Sequence, residues 1–330
     1  MKMKTVPALD FALSAVGFGC WAAGGDSVWS GSDDEEIIRA IQRAIELGIN
    51  FFDVAPIYGF GHAESVLGRA LRGKRHQVIV ASKCGLRWDD AGVIVNDLRP
   101  ERITQEIEDS LRRLNTDYID IYQMHWPDPQ TPIADSMKVL LNLQTAGKIR
   151  HIGVSNFSST QADEARKYGV IVSHQGLYNI LERNPSQYHS IPLAYRTESE
   201  ILPDCQAHGM AFFPYSPLFQ GLLTDQFKAQ GQFGAKDVRS ANPKLNSPLF
   251  EIYYQIRNEL LAFAAKIGQP LSQVAINWLI EQPAVTSVIC GAQTIKHIEE
   301  NAATTSWALT ENMLAEIERI LQPHHDLLHS

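Results

Sequence analysis

A (β/α)8 barrel of eight parallel strands is the fold class this sequence predicts, on three observations. Eight apolar, β-rich runs recur along the chain and alternate with amphipathic helical stretches, the pattern that builds parallel sheets from βαβ units. The runs are continuous, as strands buried on both faces are. No Pro/Ser-rich linker interrupts the series, so residues 1–330 read as one barrel domain.

The elements follow in order. "VPALDFAL", before the first strand, predicts a small hairpin over the N-terminal mouth. The strand runs are "AVGFGCW", "INFFDVA", "VIVASKC", "YIDIYQMH", "IRHIGVSN", "VIVSHQG", "MAFFPYSP" and "SVICGA". After the first run, Ser32 with Glu35 reads as a capping box, Ile37, Ile38, Ile41, Ala44 and Ile45 form one helical face, and Gly48 ends the helix. Residues 221–248, rich in Gly, Gln, Asn and Pro, read as a long loop after the seventh strand. "TENMLAEIERIL" reads as an extra C-terminal helix. "GFGCWA" formally matches a dinucleotide fingerprint, but "AAGGDSVWSGS" follows it as loop where the fingerprint requires a helix.

Composition narrows the function classes. A net charge of −8 gives no concentrated basic surface for nucleic acid or anionic lipid. No apolar stretch approaches the roughly 20 residues of a membrane span. Pro7 and Asp10 interrupt the N-terminal apolar stretch, which reads as mature protein. The four cysteines, Cys20, Cys84, Cys205 and Cys290, form no C-x-x-C pair and predict reduced thiols and a cytoplasmic protein. There is no H-E-x-x-H, and His324, His325 and His329 fall in a tail, so no metal site is expected.

The ends of the strand runs carry the chemistry: Trp21, Asp53, Lys83, His125, Ser155 with Asn156, Gln175, Tyr215 with Ser216, and Gly291. In a parallel barrel these ends open on one face. Singly, Asp53 reads as a cap, Lys83 as a surface charge and His125 as a core histidine. Together, opposite charges at neighbouring strand ends predict an ion pair, since a lone buried charge is costly. Tyr58 follows Asp53 in "DVAPIYGFGHAESVLGRAL". A phenol near pKa 10 holds its proton tightly, and a cation beside it favours the phenolate; a two-unit shift is worth about 2.7 kcal/mol. Neutral His125 can hydrogen-bond the same carbonyl oxygen. Such a site protonates a carbonyl and needs a hydride from elsewhere, which a nicotinamide supplies. "GVSN" and Gln175 offer groups for its carboxamide, and Tyr215 offers an aromatic face. A barrel glycosidase would need two carboxylates about 5 to 9 Å apart, and the residues neighbouring Asp53 are not acids.

The stretches "GFGCWAAGG", "NFFDVAPIYGFGHAESVLGRAL", "SKCG", "LNTDYIDIYQMHWPD", "GKIRHIGVSNFS", "YSPLFQGLLT" and "CGAQTIKHIEENAA" resemble the aldo-keto reductases over nearly the whole chain. The resemblance implies a (β/α)8 barrel and reversible NAD(P)H-dependent reduction of an aldehyde or ketone, with Asp53, Tyr58, Lys83 and His125 catalytic and Tyr58 the proton donor. It places the nicotinamide against Trp21, Asp53, Ser155, Asn156, Gln175 and Tyr215. The pyrophosphate falls in a belt of Ser216, Pro217, Leu218, Gly221 and Leu223, joined by Arg239. The adenosine end falls at Gly291, Gln293, His297, Glu300 and Asn301. NADP(H) is the family default. Here, however, Gln293, Thr294 and His297 stand where NADPH-preferring members carry Arg or Lys, Lys296 is the nearby cation, and Cys290 replaces the usual proline, which opens NAD(H) or dual use. "SNFS", "YSPL" and the long loop resemble the bacterial branch related to potassium-channel β subunits. Substrate walls fall on Trp21, Tyr58, Trp88, His125 and Trp126, which suit aromatic aldehydes and sugar faces. The rival function is a nicotinamide-binding redox sensor or regulatory subunit.

Overall fold

A computed structural model describes residues 1–25, 31–89, 91–227, 233 and 238–328. Residues 26–30, His329 and parts of the 221–248 loop, read above as loop and tail, lie outside the described residues. Eight parallel strands form the barrel: β1 Val16–Gly19, β2 Phe51–Asp53, β3 Ile79–Cys84, β4 Ile119–Met124, β5 Ile149–Ser155, β6 Ile171–Leu177, β7 Ala211–Tyr215 and β8 Val288–Gly291. Their order around the sheet is β7-β6-β5-β4-β3-β2-β1-β8. A bridge between Phe212 and Val285, with Thr286 N donating to Phe212 O at 3.0 Å, nearly closes the ring. Helices cover the outer faces and side chains fill the inside, so β6 is buried at every position, its polar Ser173, His174 and Gln175 included.

Helices α1 Asp34–Glu46, α2 His62–Ala70, α3 Pro100–Leu114, α4 Ile133–Thr145, α5 Ser159–Arg166 and α6 Leu202–Ala207 follow the first six strands. Two helices, α7 Leu249–Lys266 and α8 Leu271–Ile280, separate β7 from β8, and α9 Ile295–Ala303 and α10 Glu311–Leu321 follow β8. The long loop therefore ends where expected, at Pro248, but feeds an added helix that packs on α10. The start of α1 is displaced by one residue from the expected box. Asp33, not Ser32, accepts from Glu36 N at 2.8 Å, because the Ser32 hydroxyl donates to Ala22 O in the loop after β1. A reciprocal capping box forms instead on α5, between Ser158 and Gln161.

The hairpin pairs Met3–Lys4 with Leu13–Ser14, so most of "VPALDFAL" is its connecting loop. Leu9 and Leu13 pack on Phe51, Ile121, Val172, Phe213 and Ile289 and seal the N-terminal mouth with apolar contacts. Chemistry is thereby confined to the opposite end.

One buried group gives the fold an acid sensitivity. His174 on β6 is fully buried, and neither ring nitrogen has a partner among the described residues. Burial, reinforced by the charge of Arg166, pushes its pKa from 6.5 down to about 3. A depressed folded pKa means that the unfolded chain takes the proton first. Stability is therefore complete above about pH 6.5 and falls by about 1.4 kcal/mol per pH unit on acidification toward pH 3. Thermal melts of His174→Phe are expected to flatten the pH dependence in this window; an unchanged slope contradicts it.

Candidate active site

Strand register brings the expected residues to one rim. Gly19 pairs with Asp53 and with Gly291, Lys83 with Gln123, Ser155 with Gln175, and Leu177 with Tyr215. Lys83 is fully buried and its Nζ lies 2.9 and 2.8 Å from the two carboxylate oxygens of Asp53, itself 2% exposed. The same ammonium lies 3.0 Å from the Tyr58 hydroxyl and 3.3 Å from Val54 O. Gln175 Nε2 crosses from β6 to donate to Asp53 Oδ1 at 2.8 Å. The ion pair is thus hydrogen-bonded on several sides, which lets a buried charge pair persist.

The glycines explain how Tyr58 arrives. Its N–H bonds to Ala55 O at 3.1 Å in the turn leaving β2. Gly59 follows at φ +62, and a Cβ there would lie 2.1 Å from Gly24 O. Only glycine lets the loop after β1 close onto this turn. That loop carries Trp21, whose ring meets Tyr58 edge-on at 4.8 Å. Gly61, at φ +94, sits against Arg113, which pairs with the buried Glu64 at 2.7 Å and ties α2 down.

The electrostatics correct one expectation. In the free protein the Tyr58 phenol is held well above its ordinary range, not below it. Desolvation dominates, and the Asp53 carboxylate adds to it. Burial also lowers Lys83 despite the opposing pull of Asp53. Tyr58 is therefore protonated at rest, and the ammonium 3.0 Å away acts on the phenolate only as charge develops. His125 is neutral as expected: burial, then the Lys83 charge, hold it well below 6.5. Its ring stands 6.1 Å from that of Tyr58 at 78°.

Beyond these four, Asn156 closes β5 at φ 60, and its Nδ2 donates to His125 O at 3.1 Å. Among the described residues no group donates to Gln175 Oε1, and the Ser155 hydroxyl hydrogen has no acceptor. Ser216, Phe219, Gln220 and Gly221 all have positive φ, the backbone of an anion-cradling loop. A Cβ on Gly221 would meet only Arg239 Nη1, at 3.9 Å, and one on Gly291 would meet nothing within 4 Å. These open positions and amide groups fit a dinucleotide. The Leu223 side chain is fully buried and its N–H goes to Leu218 O at 3.1 Å, as the loop folds back on itself. Pro217 likewise turns inward. At the far end, Thr294 caps α9 by accepting from His297 N at 3.3 Å, and Asn301 Nδ2 donates to Gly291 O at 3.2 Å. Gln293 and Glu300 lie half-buried nearby.

Of the expected substrate walls, Trp21, Tyr58 and His125 come together. Trp88 instead packs against Phe60 at 5.4 Å, and Trp126 makes no ring contact with them among the described residues. Phe60 is missing from the sequence reading. Its signal is a bulky residue between two glycines, and the structure holds it 46% exposed at φ 54, a conformation aromatic side chains rarely adopt. Also missed are Tyr195, bonded to Asn156, and the buried Lys244–Glu182 pair at 2.6 Å, which with Asn179 braces Ser216.

A barrel whose mouth can donate a phenolic proton and cradle a dinucleotide is that of an NAD(P)-dependent carbonyl oxidoreductase. The chain belongs to the aldo/keto reductase family, whose model matches residues 15–322. It is 34% identical over 334 residues to an NADH-specific methylglyoxal reductase of Escherichia coli (strain K12), covering 94% of this chain and 95% of that protein. The structure of a glycerol dehydrogenase from Gluconobacter oxydans superposes with a TM-score of 0.86 at 37% identity, covering 98% of this chain and 95% of that one. An aldo/keto reductase from Klebsiella pneumoniae, in complex with NADP and acetate, superposes with a TM-score of 0.71 at 26% identity, covering 94% and 92%. No helix among the described residues is long and apolar enough to cross a membrane.

Proposed function

We propose that this protein reduces the carbonyl group of a small aldehyde or ketone, reversibly, with Tyr58 as proton donor. The observation that carries the reading is the buried line from Asp53 through Lys83 to the Tyr58 hydroxyl, with contacts of 2.8 and 3.0 Å. Tyr58 gives its proton to the carbonyl oxygen, and Lys83 stabilises the phenolate left behind. Asp53 and Gln175 keep the ammonium charged and aimed. Neutral His125 donates a hydrogen bond to the same oxygen, orienting the carbonyl. A bound nicotinamide supplies the hydride. Ser155, Asn156, Gln175 and Tyr215 hold its ring end, the 216–221 turn with Arg239 holds the pyrophosphate, and Gly291, Gln293, His297, Glu300 and Asn301 line the adenosine end.

The intact Asp53–Lys83–Tyr58 line favours an enzyme over a non-catalytic redox sensor. The E. coli and Gluconobacter relatives direct the substrate reading to short dicarbonyls and polyols, and Phe60 with Trp88 adds an aromatic rim for planar aldehydes. The four cysteines are buried and unpaired, which suits a cytoplasmic setting.

For the cofactor, NADP(H) and NAD(H) are both accepted. Lys296 is 70% exposed and 3.8 Å from Glu300, a weak partner for a 2′-phosphate that leaves neither nucleotide strongly preferred. A panel of methylglyoxal, glyceraldehyde and 4-nitrobenzaldehyde with each cofactor tests both points. Turnover is expected with NADPH and NADH at kcat/KM values within about tenfold of each other. Tight nicotinamide binding without turnover of any carbonyl overturns the enzyme reading.

A further inference from the structure

The carboxamide of Asn156 is saturated. Nδ2 donates to His125 O and to Ser155 Oγ, each at 3.1 Å, while Oδ1 accepts from the hydroxyls of Tyr215 at 2.9 Å and Tyr195 at 3.0 Å. A primary amide has two donors and two lone-pair directions, so it can meet a ligand only by exchanging a partner. The two tyrosines differ in how free they are to be exchanged. Tyr215 ends β7 at the barrel mouth and is half-buried. Tyr195 comes from the segment between β6 and α6, is 1% exposed, and its oxygen also accepts from Leu177 N at 3.3 Å. Its ring lies 6.0 Å from that of His174, and a Cβ on Gly176 would stand 3.6 Å from its hydroxyl. Displacing Tyr195 would strand a buried backbone donor, whereas displacing Tyr215 exposes its hydroxyl to the open mouth.

We infer that Tyr195 is a positioning residue for the cofactor. It holds the Asn156 carboxamide in register so that Oδ1, once Tyr215 lets go, accepts a hydrogen bond from the primary carboxamide N–H of the nicotinamide. This rests on the function proposed above. It assigns to a residue outside every motif the task of setting affinity for a carboxamide-bearing ring.

The test uses a ligand pair that differs at the carboxamide. Calorimetric Kd values are measured for NADH and for reduced 3-acetylpyridine adenine dinucleotide, which lacks the amide N–H donor. Proteins are the wild type, Tyr195→Phe, and a control, Tyr178→Phe, whose buried hydroxyl has no partner among the described residues. Tyr195→Phe is expected to weaken NADH about tenfold and the acetylpyridine analogue less than twofold. Tyr178→Phe is expected to change neither. Asn156→Ala should carry the same NADH-selective loss, and adding Tyr195→Phe to it should cost nothing more, a readout that stands if Tyr195→Phe alone folds poorly. Equal losses for the two nucleotides, or none, overturn the inference while leaving the proposed function standing. Wild-type protein that binds neither nucleotide overturns the proposed function itself.

Discussion

Tyr58→Phe is expected to lower kcat for aldehyde reduction by about a thousandfold, the usual scale for loss of a positioned general acid. The ring of Tyr58 packs edge-on against Trp21 at 4.8 Å and against His125 at 6.1 Å, and phenylalanine preserves both contacts. Folding and cofactor affinity should therefore be retained, and only the proton is lost. The phenol's raised pKa adds a pH signature. A group held above its ordinary value stays protonated through the neutral range, so wild-type reduction should decline only on the alkaline side. Stopped assays of kcat with saturating nucleotide, beside nucleotide Kd, read the two effects apart. A variant keeping more than a tenth of wild-type kcat removes Tyr58 from the donor role.

Lys83→Met has the second large effect, and it falls on stability as well as activity. Removing one member of a buried pair leaves the other uncompensated, at a cost of about 3–5 kcal/mol. Among the described residues, Asp53 then keeps the Gln175 amide as its one side-chain partner. The double variant Asp53→Asn, Lys83→Met should regain part of the lost Tm, since the unpaired charge is gone. It should regain no activity, since no cation faces Tyr58. Recovery of turnover in the double variant would show that the ammonium is dispensable.

The barrel and its reactive rim were legible before any coordinates because both are written in short-range patterns. A two-sided buried strand must be apolar along its length, so a polar residue at its end stands out, as Asp53 does after "INFF" and His125 after "YIDIYQM". Parallel topology then requires those ends to share a face. The Ser32 cap failed by one residue because a hydroxyl can serve its own helix or a neighbouring loop, and Ala22 O lies ten residues away.

Residue types and spacing were thus enough to place the acid, the ammonium, the phenol and the imidazole, since each is costly to bury and tolerable only where strands end. What they could not supply was the sum of the surroundings. Whether Tyr58 rests protonated depends on desolvation by a whole packed mouth, which outweighs the one nearby cation that local reasoning counts. The Tyr195 bond to Asn156 and the Gln175 bond to Asp53 join segments as much as 122 residues apart. Such contacts form only when the chain is closed into a ring, and no local pattern encodes them.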